Sequence, residues 1–492
     1  MRYLPTSPAL IVLLMASSAL VGCSPTDTAH LAPDSPYDAA SGSYTLAPDA
    51  RVTEGRAPAP VNFSHAYTLP ELIDLAQRTN PATRAAWLRA REAAEAVGLA
   101  EAAYLPQLNA QVLGGAQASQ TAGAVDPFGI LPPGTVDSNT AQAAATLSLQ
   151  WLLLDFGGRD AAKAEAGELS FAANAGFNGV HQKLINDVTQ AYYALQAATR
   201  RQSVQARRLA SANKVADAAR ARRDQGLATV ADVAQAEQVV AQSRFDLTRA
   251  TSESRTAATR LSVAMGVPSS QRPVPAFPSP VRLPAHVPAS LDRFLTEALQ
   301  SRPDLQAAFA RARASEAHVA AVEAQFRPKI VASAHFGQVM SAATANDNRT
   351  SNQLQLGDNR PVASVFVGIT IPLWDGGAKE SRLAAARAHA GAAQADAENL
   401  RLMAEGEIID AYEVLKSSLA ANSSAAQLIE TTRTTFGAAQ SRFDQGLATV
   451  ADVSTAQRLL YDAQLSQIEA QHAALSAAAT LAFASGQIIS AQ

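Results

Sequence analysis

The ten residues DQGLATVADV occur twice in this chain, as Asp224–Val233 and as Asp444–Val453, 220 residues apart. A decamer repeated at that distance indicates an internal duplication, which has to be established before a fold is assigned. Other matched landmarks recur in the same order in both halves: Asn80-Pro81 with Arg302-Pro303, Pro106 with Pro328, Gly157-Gly158 with Gly376-Gly377, Tyr192 with Tyr412, and Arg222 with Arg442. Each half is therefore expected to carry the same elements.

Two stretches in each half alternate between apolar and polar residues, a pattern typical of β-strands with one apolar face. These stretches lie at 108–116 and 145–153 in the first half and at 330–336 and 363–371 in the second. Polar loops are expected between them, at Ser119–Thr140 and near Ala342–Arg360. Each stretch is about ten residues long, which is what a tilted strand needs to cross a bilayer.

The four predicted strands are compatible with either a soluble sandwich or a membrane sheet. The rest of the chain is helical in composition and offers no second sheet, which favours the membrane. Trp151 and Trp374 stand near strand ends, where interfacial aromatic residues are found. Four strands cannot close a barrel, and an open edge is not tolerated in lipid. Two copies would give eight strands filled by side chains, whereas three would give twelve strands and room for a water-filled lumen.

Long helices are predicted after each Gly-Gly pair. Arg159–Gln225 spans 67 residues, about 100 Å of helix. A heptad of mostly small residues continues from Val233 and from Val453, which favours close and nearly parallel packing. The shorter segments Thr229–Met265 and Ala82–Tyr104 are expected to stack end to end and so to match one long helix in length.

The first residues resemble a processing signal. An apolar run over Ala9–Val21 precedes Leu20-Val21-Gly22-Cys23, and Cys23 is the only cysteine in the 492 residues. This pattern resembles a bacterial lipobox with acylation of Cys23, and an ordinary signal peptide is the alternative. Ser24 at the next position suggests sorting to the outer membrane. The expected division of the chain is a signal peptide at 1–22, a lipidated tether at 23–66, a first repeat at 67–266, a Pro-rich connector at 267–290 and a second repeat at 291–492.

The sequence carries no motif typical of an enzyme or of a nucleic-acid-binding protein. The eight histidines show no metal-ligand spacing, and neither a phosphate-binding loop nor a nucleophile elbow is found. The net charge of -3 gives no indication of electrostatic attraction to nucleic acid. No catalytic residue, metal or cofactor is therefore predicted.

Taken together, these features resemble the TolC-like outer membrane factor family, and the lipobox makes the chain similar to its lipidated, OprM-type branch. The resemblance is carried by these stretches: YTLPELIDLAQRTNP (67–81), LLDFGGR (153–159), PLWDGG (372–377), ARRDQGLATVADVAQAE (221–237) and SRFDQGLATVADVSTAQ (441–457). It implies an α+β membrane protein: a homotrimer whose twelve-stranded transmembrane β-barrel is continuous with a long α-helical periplasmic barrel.

The function implied by the resemblance is that of a passive exit duct. The protein would lie in the outer membrane, anchored by lipid and extending into the periplasm. It would give small molecules a path out of the cell in a tripartite efflux system, together with a periplasmic membrane-fusion adaptor and an inner-membrane pump of RND or ABC type. The alternatives are the outer-membrane channel of a type I protein secretion system and, from another class, a structural periplasmic coiled-coil lipoprotein.

The repeated decamer contains the capping signals of a helix-turn-helix. Gly226 and Gly446 suit the left-handed position just past a helix end. Thr229 and Thr449 are predicted to cap the next helix, with an acidic residue three positions later completing a capping box. Capping alone is one explanation of Asp232 and Asp452.

The resemblance adds functional roles at these turns. It implies that they form the periplasmic aperture, where Asp452 matches an acidic ring position and Asp232 is its counterpart in the first repeat. A second acidic position is Thr455 here, and Phe443 and Ala448 stand where some members have a Tyr–Arg latch. The exposed tip residues would dock the adaptor, or would merely make tight turns: Gly226, Leu227, Thr229, Gly446, Leu447 and Thr449. Arg222 and Arg442 are expected either to pair with tip carboxylates or to be solvated.

Overall fold

A computed structural model describes residues 62, 64–122, 135–268, 272–284, 287, 290–347 and 352–488. The predicted signal peptide and Cys23 lie outside the described residues. In chain order the elements are β1 (Ala66–Tyr67), α1 (Leu69–Thr79), α2 (Pro81–Ala102), β2 (Gln107–Ala122), β3 (Thr135–Leu154), α3 (Gly158–Asp224), α4 (Val230–Ala264), β4 (Val274–Pro275), α5 (Leu291–Ser301), α6 (Pro303–Ala324), β5 (Lys329–Asp347), β6 (Asn352–Thr370), α7 (Ala378–Asp444) and α8 (Val450–Ala484). The order α-α-β-β-α-α occurs twice, which confirms the duplication.

The chain divides into two compact units, of which the first contains the four long strands. They form one antiparallel sheet in the order β2-β3-β5-β6. The strands have 16, 20, 19 and 19 residues, considerably more than predicted. The expected loops Ser119–Thr140 and Ala342–Arg360 were wrong at their edges, because strand pairing continues into both of them.

In the first hairpin, the physical reason for this error is that both faces of the sheet become polar toward its end. Apolar alternation then disappears, although the backbone ladder continues and side chains pair across it. The hydroxyls of Ser119 and Ser138 lie 2.7 Å apart, and Gln120 Nε2 donates to Asp137 Oδ1 at 2.7 Å. Alternation reports contrast between the two faces, so a strand with two polar faces is not recognised by that pattern. In the second hairpin, Leu354 and Leu356 lie on the face that is polar in the predicted part of the sheet, so the apolar residues change faces along the strand.

The register separates an apolar face from a polar face in the part of the sheet that the sequence did predict. Two of its cross-strand rows show the contrast: Leu108, Leu149, Ala334 and Val365 on one face, and Asn109, Ser148, His335 and Ser364 on the other. Farther along the apolar face, Gln338 Nε2 donates to Asn359 Oδ1 at 2.6 Å, so each amide on this face satisfies part of the other's hydrogen-bonding capacity.

A compact cluster of contacts joins the end of β3 to the start of α3. Trp151 Nε1 donates to the carbonyl of Tyr104 at 2.8 Å, and the Arg159 guanidinium lies 4.6 Å from the Tyr104 ring centroid. Arg159 Nη1 also donates to the carbonyl of Leu152 at 2.7 Å. The buried Asp155 carboxylate accepts from the Arg159 backbone N–H at 2.7 Å, as a cap at the helix start does.

The second unit is helical. Its helices α3 and α7 have 67 residues each, within one residue of the predicted Arg159–Gln225 in the first repeat. The return helices α4 and α8 have 35 residues each. Most of the predicted heptad positions are buried, including Val233, Ala236 and Leu261 in α4 and Val453, Ala474 and Leu481 in α8. Small residues at these positions let the helix backbones approach closely. Within the described residues, no helix is both long and apolar enough to span a bilayer.

The shorter helices meet end to end, as predicted. After α4, Asn80 Nδ2 donates to the carbonyl of Ala264 at 3.0 Å, and α2 begins one residue later. After α8, Arg302 Nη1 donates to the carbonyl of Ala484 at 3.2 Å, just before α6. Each side chain supplies a donor to a carbonyl of the last helical turn, where intrahelical backbone donors run out.

The connector between the repeats contains strand β4, which pairs in parallel with β1 through Ala66↔Val274 and Tyr67↔Pro275. Phe277 packs against Tyr192, with the ring centroids 5.2 Å apart. Burial, followed by the neighbouring Tyr193, raises the pKa of the Tyr192 hydroxyl to about 12, so it remains a hydrogen-bond donor to the carbonyl of Ala276. The described part of the proline-rich connector contains no helix.

Candidate functional site: the helix-hairpin tips

Both copies of the decamer end a long helix in the same way. Gly226 and Gly446 have φ values of 72° and 79°, in the left-handed region that glycine adopts without steric cost. The backbone N–H of Leu227 donates to the carbonyl of Arg222 at 2.8 Å, and that of Leu447 donates to Arg442 at 2.7 Å. These bonds define a Schellman motif and satisfy carbonyls that the helix end would leave unpaired.

Both copies also start the return helix in the same way. Thr229 Oγ1 accepts from the Asp232 N–H at 3.2 Å, while Asp232 Oδ2 accepts from the Thr229 N–H at 2.8 Å. Thr449 and Asp452 repeat these bonds at 3.2 and 2.9 Å. The predicted capping boxes are confirmed. The glycine, the threonine and the aspartate of each turn therefore all serve its backbone path.

The aspartates of the capping boxes are held in their charged form. Hydrogen bonds from the Thr229 backbone and hydroxyl lower the pKa of Asp232, and those of Thr449 lower the pKa of Asp452. The positive charge of Arg442 lowers the pKa of Asp452 further. Both carboxylates are thus fixed negative charges at neutral pH, and both are accessible to solvent. Capping and an electrostatic role are compatible, because the cap uses Oδ2 and the charge remains.

The two tips pack against each other through an apolar cluster. Its buried members come from both repeats: Val215, Ala216, Ala219, Val233, Ala236, Phe443, Val450 and Val453. The identical decamers nevertheless have different surroundings, because Val450 is 3 % exposed whereas Val230 is 76 % exposed. Leu227 and Leu447 are exposed in both copies. The two copies share the turn and its exposed leucine. The identical sequence of the two decamers therefore corresponds to these two features.

Of the two roles expected for Arg222, a pair with a tip carboxylate or a solvated position, neither describes its contacts among the described residues. Its guanidinium donates to the backbone carbonyl of Phe443 and lies 4.0 Å from the centroid of the Phe443 ring. The adjacent helix of the other repeat presents a carbonyl and an aromatic face at this point, and a planar guanidinium can engage both. Arg442 donates to the carbonyl of Leu447 at 3.4 Å, and its positive charge contributes to the lowered pKa of Asp452.

The Arg222–Phe443 contact was missed from the sequence, although a signal existed. The residues before the decamer are Arg222-Arg223 in the first repeat and Arg442-Phe443 in the second. A buried aromatic residue replacing an arginine marks where the pseudo-symmetry of the repeats is broken. Phe443 is 1 % exposed.

The two tryptophans predicted to be interfacial, Trp151 and Trp374, lie in different settings. Trp151 is in β3 and hydrogen-bonded, as described above, whereas Trp374 follows β6 and is 88 % exposed. Their interfacial role remains a prediction. Among the described residues, no group of three or more His, Cys, Asp or Glu side chains is arranged to hold a metal ion.

A four-stranded antiparallel sheet and two very long helical hairpins, one in each repeat, define a class of outer-membrane channel proteins. The chain matches the family described as "Outer membrane efflux protein" over residues 72–267 and 294–487, and it belongs to that family. The members are channels and not enzymes. Family membership also removes the alternative of a coiled-coil spacer without a pore.

Individual relatives and solved structures agree with this assignment. The chain is 28 % identical over 426 residues to Protein CyaE of Bordetella pertussis, covering 83 % of each chain. It is 26 % identical over 490 residues to the pyoverdine export outer membrane protein OpmQ of Pseudomonas putida, covering 97 % of each. The fold matches the outer-membrane channel OprN with a TM-score of 0.70 at 21 % identity, covering 90 % of this chain and 99 % of that one. It matches VceC of Vibrio cholerae with a TM-score of 0.67 at 24 % identity, covering 85 % and 96 %.

Proposed function

We propose that three copies of this chain form a twelve-stranded outer-membrane barrel and act as the passive exit duct of a tripartite efflux system. The observation that carries the proposal is that both edge strands of the sheet have one side without a paired strand in the described residues. Within the described residues β2 pairs only with β3, and β6 pairs only with β5. Together with the apolar face, these two long edges require further strands before the sheet can enter lipid. Further copies of the chain supply such strands.

The experiment is to measure mass and conductance on the same material. Protein extracted in detergent should have the protein mass of three chains and should conduct ions in planar bilayers. The eight-stranded alternative of two chains predicts a dimer and a lumen filled by side chains. A dimer, or a trimer that never conducts, contradicts the proposal.

The hairpin tips are proposed as the periplasmic end of the duct. Three Asp452 carboxylates around one axis, with Asp232 as the counterpart in the other hairpin, would attract cations and resist closure by like-charge repulsion. The exposed leucines Leu227 and Leu447 give small apolar contacts for a helical hairpin of a periplasmic adaptor. The turn residues Gly226, Thr229, Gly446 and Thr449 set the direction in which those leucines point.

The docking role has a direct test. Leu227→Asp and Leu447→Asp, together, should abolish binding of the adaptor without changing the mass of the assembly, because both side chains are exposed. The control is Leu99→Asp, which changes an equally exposed leucine in α2. Adaptor binding that survives the double change contradicts docking at these turns.

A lipid anchor at Cys23 belongs to the same proposal and places the chain in the lipidated, OprM-type branch. A single cysteine in 492 residues, at the end of the predicted signal peptide, supports it. Several acyl chains would hold the tether firmly, since each buried methylene contributes about 0.8 kcal/mol. Cys23→Ser should remove labelling by radioactive palmitate and leave the assembly intact. Palmitate labelling of the serine variant contradicts the anchor.

Efflux of small molecules is preferred to protein secretion as the task of the duct. The lipobox supports this choice, and the full-length relative OpmQ is named for the export of pyoverdine and not of a protein. The energy would come from an inner-membrane pump of RND or ABC type. Deleting the gene should raise sensitivity to small toxic compounds. Loss of a secreted polypeptide, with unchanged sensitivity, would support the type I secretion alternative.

A further inference from the structure

A groove in the helical unit lies where α3 of the first repeat meets α7 and α8 of the second. It has a volume of about 480 Å³, which is within the range of small-molecule sites in proteins. Arginines and aliphatic side chains make up most of its lining: Arg200, Arg207, Arg433, Val204, Ile429 and Ile468. The groove is separate from the capping boxes and the contacts of the hairpin tips.

The arginines of the groove surround an apolar floor. The three aliphatic side chains are buried, whereas Arg207 and Arg433 are exposed and Arg200 is half-buried. Arg200 and Arg207 are seven residues apart on one face of α3, which places them about 10 Å apart along the helix axis. Val204 lies between them on the same face. The groove therefore combines an apolar floor with cationic groups along its rim.

Two of the guanidinium groups have uncharged partners. Arg200 Nη1 donates to Gln471 Oε1 at 2.8 Å, and Arg207 Nη1 donates to Ser203 Oγ at 2.8 Å. Among the described residues that line the groove, none is acidic. The positive charge of Arg200 and Arg207 is therefore not neutralised from within the lining.

The surroundings of the groove favour an added anion. Arg433 Nη1 lies 2.8 Å from Glu430 Oε1, but both side chains are exposed, and exposed pairs of this kind contribute little. Burial lowers the pKa of Arg200, because the surrounding protein stabilises its charge less well than water does. A negative group in the groove would restore that stabilisation.

We propose that this groove binds an amphipathic organic anion of drug size. Its apolar body would cover the aliphatic floor, and its carboxylate or sulfonate would accept hydrogen bonds from the guanidiniums, whose planar forks match such groups. The amides of Gln464 and Gln467 line the same groove and offer further N–H donors. An inorganic anion would leave the floor uncovered, and a neutral apolar molecule would leave the guanidiniums unpaired, so tight binding needs both parts of the ligand.

The test is the binding of naphthalenesulfonate to the full-length assembly in a non-ionic detergent, measured by isothermal titration calorimetry with protein-free micelles as the blank. Naphthalenesulfonamide is the matched uncharged probe, and inorganic sulfate is the matched anion without an apolar body. The sulfonate should bind about tenfold more tightly than either of them, because only the sulfonate uses both the floor and the guanidiniums.

Arg207→Gln should weaken binding of the sulfonate about tenfold. The Arg207 side chain bonds within α3, and the contact of Tyr461 Oη with the Arg207 carbonyl uses only the backbone, so helix packing should be retained. The control is Arg249→Gln, which changes an exposed arginine of α4 that pairs with Glu253. This variant should bind the sulfonate as the parent does.

The outcomes separate this inference from the proposed duct. Equal binding of the sulfonate by Arg207→Gln and the parent, or equal binding of the sulfonate and either matched probe, overturns the inference. Should Arg207→Gln fail to assemble, Arg433→Gln on α7 provides the same comparison. A parent that conducts ions but does not bind the sulfonate overturns the groove alone, whereas one that binds the sulfonate but does not conduct contradicts the duct alone.

Discussion

The guanidinium of Arg222 lies over the ring of Phe443, 4.0 Å from its centroid, and donates to the backbone carbonyl of the same residue. Arg222 belongs to the first repeat and Phe443 to the second, so this contact ties the two hairpin tips together. It lies one turn before Gly226. Phe443 also belongs to the apolar cluster through which the two tips pack against each other.

Removing the Arg222 side chain should loosen the packing between the two tips. A cation–π contact contributes about 0.5–2 kcal/mol, and the hydrogen bond to the Phe443 carbonyl adds to it. Arg222→Ala is therefore expected to raise the conductance of the channel in planar bilayers. Arg223→Ala is the matched control, because that exposed arginine pairs only with its neighbour Asp224 among the contacts described. Equal conductance in Arg222→Ala and the parent would show that the contact does not restrain the tips.

Asp452→Asn separates capping from charge. An asparagine oxygen can still accept the Thr449 N–H, so the helix start should remain intact, as judged by circular dichroism. The negative charge is lost, and cation selectivity in planar bilayers should fall. The pKa of Asp452 is lowered, so the parent should keep its cation selectivity down to about pH 4 and lose it only below that. If Asp452→Asn conducts cations as the parent does, capping is the only role of this residue.

Gly486→Ala should destabilise the join between α8 and α6. Gly486 has a φ of 69°, and a Cβ there would stand 2.4 Å from the carbonyl oxygen of Ser301. The left-handed conformation alone costs roughly 1–2 kcal/mol for a residue with a Cβ, and the clash adds to this. The thermal unfolding midpoint in detergent should fall clearly. Gly437→Ala, in an exposed helical position with open space, should leave the midpoint unchanged or raise it slightly. Equal behaviour of the two variants would rule out a tight join.

The Arg302–Asp304 pair should make stability depend on pH in the acid range. Arg302 is buried and its Nη2 lies 2.6 Å from Asp304 Oδ2 and 2.8 Å from Glu407 Oε2. Burial acts to raise the pKa of Asp304, but the hydrogen bonds and charge of Arg302 outweigh it, so the pKa is lowered. A lowered pKa in the folded state stabilises the protein above the unfolded value of about 3.9. That contribution is lost as the pH falls through the folded-state value.

Asp304→Asn should therefore flatten the fall of the unfolding midpoint between about pH 4 and pH 2. Asp74→Asn is the control, since Asp74 forms an exposed pair with Arg78 and such pairs contribute little. A parent whose midpoint falls no more steeply than that of Asp304→Asn would exclude this pair as a source of acid sensitivity.

The features that could be predicted from the sequence were those determined by residues close together in the chain. Glycines, capping residues and heptads located the ends of α3 within one residue and identified the capping boxes at Thr229 and Thr449. The full lengths of the strands could not be predicted, because alternation vanishes where both faces of the first hairpin become polar and because the apolar residues change faces in the second. The partner of Arg222 could not be predicted either, since Phe443 is 221 residues away and only packing of the repeats brings it near.

The equal helix lengths in the two repeats constrain how this architecture can change in size. Helices α3 and α7 have 67 residues, α4 and α8 have 35, and α2 and α6 have 22. An insertion into one of these helices would displace the joins at Asn80 and Arg302 and shift the heptad positions of the helices packed against it. Growth therefore has to proceed in blocks of about seven residues, roughly 10 Å, added to the long and the returning arm of both repeats together. Natural variants of different length should differ by coordinated sets of four such blocks, and engineered lengthening will succeed only when all four are changed at once.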